Sequence, residues 1–388
     1  MQSTKFYFHP IFRPKMKLFL SSIPLLFLFP LQAQEPNSTG HYGDNNTINM
    51  IVNANTFFYD AEYATPIAKG YTVTGFRLSP SLSYDIALRL QLNIGFDATL
   101  FAGLDSLYRL RPTLSIIYSP TRWLTLIGGT INNNHEIPLP MFDPAKKIFD
   151  YQEEGLQILT HTHFWHSDTW LDWQHYLTPY TPDQEQFTMG SFHAFTLFHN
   201  SNFTFQNTLL SMAHHRGGEL KTIDTNTVTT FNHRLSFNLS YNTGNKTIAL
   251  DLPMYIYHLE DRKLDNPGYA FQPTISYQYS IRRMDSNTQN TDLNLAVGYW
   301  HGDHFFSAEG APQFWSVNGY TSLHITPSNN LTDLTDTRDL VTIAVSVQHR
   351  FKSLTLRLLL DLFHDIDLNK NDLTVAFAMN FNLFKALR

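Results

Sequence analysis

The sequence predicts an all-β chain closed into a single up-and-down antiparallel transmembrane barrel of about 16 strands, with 14 as the nearest alternative. Three observations predict it. Segments of about ten residues alternate apolar and polar side chains almost to the end of the chain. Aromatic residues gather near the ends of those segments, as they do at membrane interfaces. The N-terminus has the form of an export signal, and no later stretch is long and apolar enough for a spanning helix.

Composition narrows the class first. Of 388 residues, 43% are hydrophobic and 14% aromatic, but only 15% are charged. Mean hydropathy is −0.24, so the chain is not greasy throughout. Disordered chains lack this aromatic content. The formal charge of −6 is too mild to point to nucleic acid. Cysteine is absent, which excludes disulfides, thiolate metal sites and a lipid anchor on an N-terminal Cys.

Residues 16–34 carry Lys17, an apolar stretch from Leu18 to Leu31, and a Leu31-Gln32-Ala33 cleavage pattern. Pro24 and Pro30 break that stretch too early for a good membrane span. The predicted organisation is an N-terminal extension and signal peptide over 1–34, with translation starting at Met1 or Met16. A short polar lead over 35–47 and a barrel over 48–388 follow. The lead is too short for a plug domain.

The strands follow in order. In 71–84, Phe76, Leu78, Leu82 and Tyr84 oppose Gly75, Arg77, Ser79 and Ser83. In 88–97, Leu88, Leu90, Leu92, Ile94 and Phe96 oppose Arg89, Gln91, Asn93, Gly95 and Asp97. A helix would place apolar residues three and four apart; here they lie two apart. Segments 109–118, 231–241, 246–256 and 271–281 repeat the pattern, as do 341–348, 353–362 and 373–382. Ser119-Pro120-Thr121, His166-Ser167-Asp168, Asn200-Ser201-Asn202, Asn242-Thr243-Gly244-Asn245 and Lys352-Ser353 read as tight turns. Residues 132–152, 213–226, 283–291, 302–313 and 326–338 read as long connections. The alternation of short and long slips once between 283 and 338, so one segment there is not a strand. Tyr84, Tyr118, Trp123, Phe164, Trp165, Trp170, Tyr241, Tyr257, Tyr299 and Trp300 are the expected interfacial aromatics.

The chain end carries a resemblance. Residues 375–384, VAFAMNFNLF, resemble the terminal strand of Gram-negative outer-membrane β-barrel proteins, with Phe384 as the closing aromatic. The chain departs from that pattern by continuing through Lys385-Ala386-Leu387-Arg388. The resemblance is porin-like in a generic sense and singles out no subfamily. It implies location in the outer membrane, contact with its lipid and lipopolysaccharide, and insertion by the barrel-assembly machinery through the strand ending at Phe384.

The polar faces then line the interior. Arg77, Arg89, Asp97, Arg109, Arg111, Arg234, Asp251, Arg357 and Asp361 are the candidate pore-lining residues. Both charge signs occur on one hydroxyl- and amide-rich wall, which suits a wet channel or a mutually paired surface. The leading expectation is a passive, non-enzymatic channel for small polar solutes. The alternatives are a barrel enzyme of lipase or protease type, and a closed structural or secretion-associated barrel occluded by Tyr255, Tyr257 and the loop 132–152. A soluble sandwich is the remaining rival. His161, His163 and Asp172 match a metal-ligand set in type only, and no metal or cofactor is assigned. No GxSxG, HExxH or GxxxxGK[ST] occurs. A lipid-facing Ser–His arrangement assembled from several strands stays open. Ser211 with His214 and His215 is the one crowded spot, and no catalytic residue is assigned.

Overall fold

The computed structural model describes residues 46–176, 184–217, 227–259, 267–282, 289–316 and 336–387. The predicted signal and most of the polar lead lie outside the described residues. Sixteen strands form one closed antiparallel sheet: β1 (Ile48–Tyr63), β2 (Tyr71–Ala87), β3 (Leu90–Phe101), β4 (Arg109–Thr121), β5 (Leu124–Ile131), β6 (Glu153–His161), β7 (Trp165–His175), β8 (Glu185–His199), β9 (Phe203–Gly217), β10 (Val228–Asn242), β11 (Lys246–Asp251 and Met254–Leu259), β12 (Gly268–Phe271 and Thr274–Arg282), β13 (Gln289–Asp303), β14 (Thr337–Phe351), β15 (Leu354–Asp365) and β16 (Lys370–Ala386). Each strand pairs with the next in sequence, and β1 pairs with β16 from Asn49–Ala386 to Tyr63–Asp372, so no sheet edge remains. Closure satisfies the backbone without water, which a membrane span requires.

Prolines explain why β11 and β12 each come in two pieces. Pro253 and Pro273 have no N–H to donate to the ladder. The sheet is bridged there by Gln272 N–H to Pro253 O (3.1 Å) and Tyr299 N–H to Pro273 O (3.1 Å). The slip anticipated between 283 and 338 is resolved by a single connection running from β13 to β14. Its described part, 304–316, holds only a short 3-10 turn (Pro312–Phe314). One predicted tight turn moves: His166, Ser167 and Asp168 belong to β7. The β6–β7 turn is 162–164, where Thr162 both donates to Trp165 O and accepts from Trp165 N–H.

Leu82, Ile94, Leu114, Ile158, Ile256, Ile275 and Leu358 are exposed on the outer face. They have no protein to pack against, as expected for side chains facing acyl chains. Tyr118, Trp123, Phe164 and Tyr241 ring the end with the short turns, and they are exposed. By loop length, that end faces the periplasm.

The other end is filled from within. The connection 132–152, with a one-turn helix α1 (Lys146–Phe149), touches the segment 304–316. Asp143 N–H donates to Glu309 O (2.7 Å) and Ala311 N–H to Leu139 O (2.9 Å). Together these segments reach wall residues around the whole barrel. Arg77 on β2, Asp168 on β7, His214 on β9, Asn232 on β10, Tyr255 on β11, Trp300 on β13 and Phe363 on β15 all contact one or the other. Only a position inside the barrel permits that. Trp300, Phe305, Phe306, Phe314 and Met141 are fully buried there, around an aromatic cluster that includes Tyr255 and Tyr257. Trp170, Tyr257 and Trp300 are therefore interior packing residues. The expectation that they belong to an interfacial girdle fails because their strand parity turns them inward.

Candidate functional site

The sequence-derived lining residues fall mostly on the inward face, and most are bonded to one another or to the inward loop. Arg77 donates to Thr99 (3.1 Å) and to the carbonyls of Lys147 and Ile148 (3.0 Å each), near Asp97 (3.6 Å). Its guanidinium lies 4.2 Å from the Tyr151 ring centroid. Arg109 and Arg111 converge on Asp150 of the loop at 2.7 and 3.3 Å. Arg234 bonds Asp251 (2.9 Å) and Thr208 (2.6 Å). Asp361 is buried, and Arg357, on the same face, is exposed to the interior space. Arg89 does not line the wall; it sits in the β2–β3 turn and donates to Pro120 O. The ladder of Arg77, Arg109 and Arg111 holds α1 and its flanks.

The loop 132–152 is anchored a second time through His135. Its Nδ1 is 2.6 Å from Asp168, its Nε2 is 2.6 Å from Glu153, and its ring stacks on Trp170 at 3.8 Å. Burial opposes charge on this imidazole, but the two carboxylate bonds outweigh it and its pKa rises. Burial, reinforced by Asp168 and opposed by Arg234, pushes neighbouring Glu136 up to about 7. Across the lumen, burial opposes the charge of Glu309, yet Lys146 (2.9 Å) and His214 (2.9 Å) bring its pKa down to about 2. Both His135 nitrogens are taken by carboxylates, so this group is a strut.

The metal-ligand set suggested by sequence does not assemble. His161 pairs with His166 at the turn end of the barrel, whereas Asp172 pairs with Gly155 further up the wall. Among the described residues, no three His, Asp or Glu side chains converge in a metal-ligating arrangement.

The lipid-facing wall holds the other constellation. Along β7 the outward residues are Trp165, Ser167, Thr169, Leu171 and Trp173. On β8 they are Phe187, Met189, Ser191, His193 and Phe195. The register places Thr169 opposite Ser191, Ser191 opposite Ser211 of β9, and Ser211 opposite His233 of β10. A hydroxyl and imidazole row thus crosses four consecutive strands. A second row beside it joins Thr160, Ser167 and His193. Thr169 lies four residues from Trp165 and four from Trp173, well within the apolar band. Ser191 Oγ lies 3.0 Å from His193 Nε2 and 2.8 Å from Thr169 Oγ1. Ser211 Oγ lies 3.0 Å from His233 Nδ1. The His193 ring is flanked by Trp165 and Phe195, with centroids at 6.1 and 6.3 Å. Its Nδ1 is buried without a hydrogen-bond partner. Polar groups at this depth are costly and mark function when they persist.

Sequence reasoning saw one member of this row, Ser211, but grouped it with His214 and His215. In the structure His214 turns inward to Glu309, and His215 stacks on Phe187 nearer the loop end. The readable signal was Ser191-x-His193 on the apolar face of an alternating strand.

Fold and wall define an outer-membrane β-barrel. The sequence profile of the lipid A 3'-O-deacylase-type family matches residues 39–387. The chain belongs to that family. Membership overturns the expectation of a non-enzymatic barrel, because the family is defined by an enzymatic activity. Among solved structures, OmpT of Vibrio cholerae in a loop L8 deletion form aligns with a TM-score of 0.50 and 10% identity, over 88% of this chain and 100% of that one. OprD of Pseudomonas aeruginosa aligns with a TM-score of 0.50 and 8% identity, over 89% and 98%. Identities this low show shared architecture alone. No curated protein matches the chain.

Proposed function

We propose that this barrel is a lipid acyl hydrolase that removes an ester-linked acyl chain from lipid A at its outer wall. The observation that carries the reading is the Ser191–His193 hydrogen bond on the lipid-facing surface. The family description supplies the reaction class. A substrate dissolved in the bilayer reaches an outward site by lateral diffusion, without entering the lumen.

In the proposed reaction Ser191 Oγ attacks the ester carbonyl while His193 Nε2 takes its proton. The tetrahedral intermediate collapses, and His193 returns the proton to the departing sugar oxygen. Water then attacks the acyl-serine with His193 again as base, which releases the fatty acid and restores Ser191. Dyads of this kind usually have a carboxylate on the far imidazole nitrogen. Here the flanking Trp165 and Phe195 rings supply the orientation.

The test is mass spectrometry of lipid A incubated with the purified barrel. Wild type should remove one acyl chain, and Ser191→Ala and His193→Phe should each reduce the rate at least 1000-fold on the scale of triad deletions. Heat-modifiable gel migration checks that each variant is folded. An unreduced rate in folded Ser191→Ala removes this reading.

A further inference from the structure

The closed sheet is not equally tall all the way round. The β4–β5 ladder runs from Thr121–Leu124 up to Ser115–Gly129 and stops. Above it β4 continues to Arg109, paired among the described residues with β3 alone. The β6–β7 ladder likewise ends at Gly155–Asp172, whereas β7 continues to His175 beside β8 alone. Between them β5 and β6 end at Ile131–Glu153, and the chain joining them turns into the lumen. The rim therefore drops between β4 and β7, over three strand spacings or about 14 Å. The sequence keeps this notch open. Even-numbered residues of β4 direct their main-chain groups toward β5, as Leu114 N–H does in reaching Thr130 Oγ1 (3.1 Å). In the notch one of those residues is Pro112, which has no N–H to leave bare, and proline keeps a free strand edge from pairing. Leu110 and Leu114 on β4 and Trp173 on β7 are exposed on the outer face. The apolar wall thus rises on either side of the notch, which opens at the level of the outer leaflet.

Arg109 and Arg111 stand behind this opening. They face inward from β4, and their side chains are 29% and 32% exposed. Both reach one carboxylate oxygen, Asp150 Oδ1, through Nη1 at 2.7 and 3.3 Å. Arg109 Nη1 also donates to Phe149 O (3.1 Å). A guanidinium has several N–H donors in a fixed fork, so two of them sharing one oxygen are far from filled. The pair sets two positive charges against the single negative charge of Asp150, whose side chain is 47% exposed. Ion pairs this exposed contribute little, so a more highly charged anion joins or displaces Asp150 at small cost. Planar forks favour phosphate, which accepts parallel bonds from each. From the notch and the arginine pair we infer that the barrel binds the phosphate group of an outer-leaflet amphiphile between β4 and β7. The phosphate sits on Arg109 and Arg111, and the acyl chains lie outside along Leu110, Pro112 and Leu114. An amphiphile suits the place better than a free anion, because one strand presents the charges behind the notch and the apolar side chains in front of it. The inference goes beyond the acyl-hydrolase reading and does not need its nucleophile.

Native mass spectrometry of the full barrel in detergent tests the site, because it weighs bound lipid and any product separately. The probes are lipid A, lipid A stripped of its phosphates, and inorganic phosphate. Wild type should bind lipid A about 10- to 100-fold more tightly than the stripped form, on the scale of one or two charge-assisted bonds. The double variant Arg109→Gln/Arg111→Gln should bind both forms alike. Arg109→Lys/Arg111→Lys keeps the charge without the forks and should recover only part of the preference. Arg122→Gln removes one positive charge at the turn end and should change nothing. Asp150→Asn removes the competing carboxylate and should tighten lipid A by about 2- to 5-fold. That arm decides the matter if the Gln double variant fails to show heat-modifiable migration. Equal binding of the two lipid forms by wild type overturns the site. So does an undiminished preference in the folded Gln double variant, or weaker binding in Asp150→Asn. Inorganic phosphate held as tightly as lipid A overturns the lipid assignment in favour of a free anion. A phosphate-dependent complex in a barrel whose folded Ser191→Ala variant still deacylates lipid A leaves this site standing and removes the hydrolase reading.

Discussion

At the scale of single residues, Gly190 shows how tightly the interior wall is fitted. A Cβ at this position would lie 2.1 Å from Cζ2 of Trp170. Trp170 is the ring on which His135 stacks. Gly190→Ala should therefore push the indole away from His135 and lower stability by about 1–3 kcal/mol, the usual cost of overpacking. Denaturant unfolding followed by Trp fluorescence reads this. By contrast, Gly103→Ala has open space for its methyl, but Gly103 has a φ of +85° that favours glycine. It should cost only about 1 kcal/mol of backbone strain. Side-chain facing was mostly legible from alternation, as for Leu92 or Phe96. It was misjudged for Trp170 and Trp300, and for Tyr257 the sequence offered both an interfacial and a lumenal place. Their aromatic character suggested an interface, whereas register alone decides the face.

At the scale of elements, the inward loop 132–152 behaves as a charge-locked wedge. His135 and Glu136 both have raised pKa values. Each therefore contributes its share fully below its unfolded-state pKa and loses it as pH rises through the folded value. Glu309 has a lowered pKa, so its bonds to Lys146 and His214 contribute above the ordinary glutamate range and are lost as pH falls toward about 2. The loop should be best held between about pH 4.5 and 6.5, above the ordinary glutamate value and below the ordinary histidine value. Limited proteolysis should cut within 132–152 faster above pH 8, and His135→Gln should cut readily at pH 6 as well. A flat pH profile in wild type would contradict the wedge. The sequence offered this loop, with Tyr255 and Tyr257, as an occluding element in one alternative, but not the contacts that anchor it, because the carboxylate partners of His135 lie on β6 and β7 and the alternation signal stops at the strand ends.

At the scale of the whole molecule, two partitions coexist. Leucine, isoleucine and phenylalanine face outward around most of the circumference, as the alternation implied. The interior is not uniformly polar: one end is packed with Met141, Phe305, Phe306 and Phe314 from loops. Conversely, the outer wall is not uniformly apolar, because β7 to β10 carry the hydroxyl and imidazole row. The barrel class and its strand count of about 16 were readable because the pattern repeats along the chain. The row was not readable, because its members are separated by about twenty residues each and meet only through register. Replacing the row by Val at 169, 191 and 211 together should leave a folded barrel, at least as heat-resistant as wild type, since buried polar atoms are exchanged for lipid-soluble ones. It should be inactive on lipid A.

Chemistry on the outer wall requires a nucleophile at one serine of that row. Reaction of the folded barrel with a membrane-soluble fluorophosphonate, followed by peptide mass spectrometry, locates the nucleophile directly. A single adduct is expected on Ser191, and it should disappear in His193→Phe. An adduct on an inward-facing residue, or no adduct in a preparation that deacylates lipid A, would contradict it.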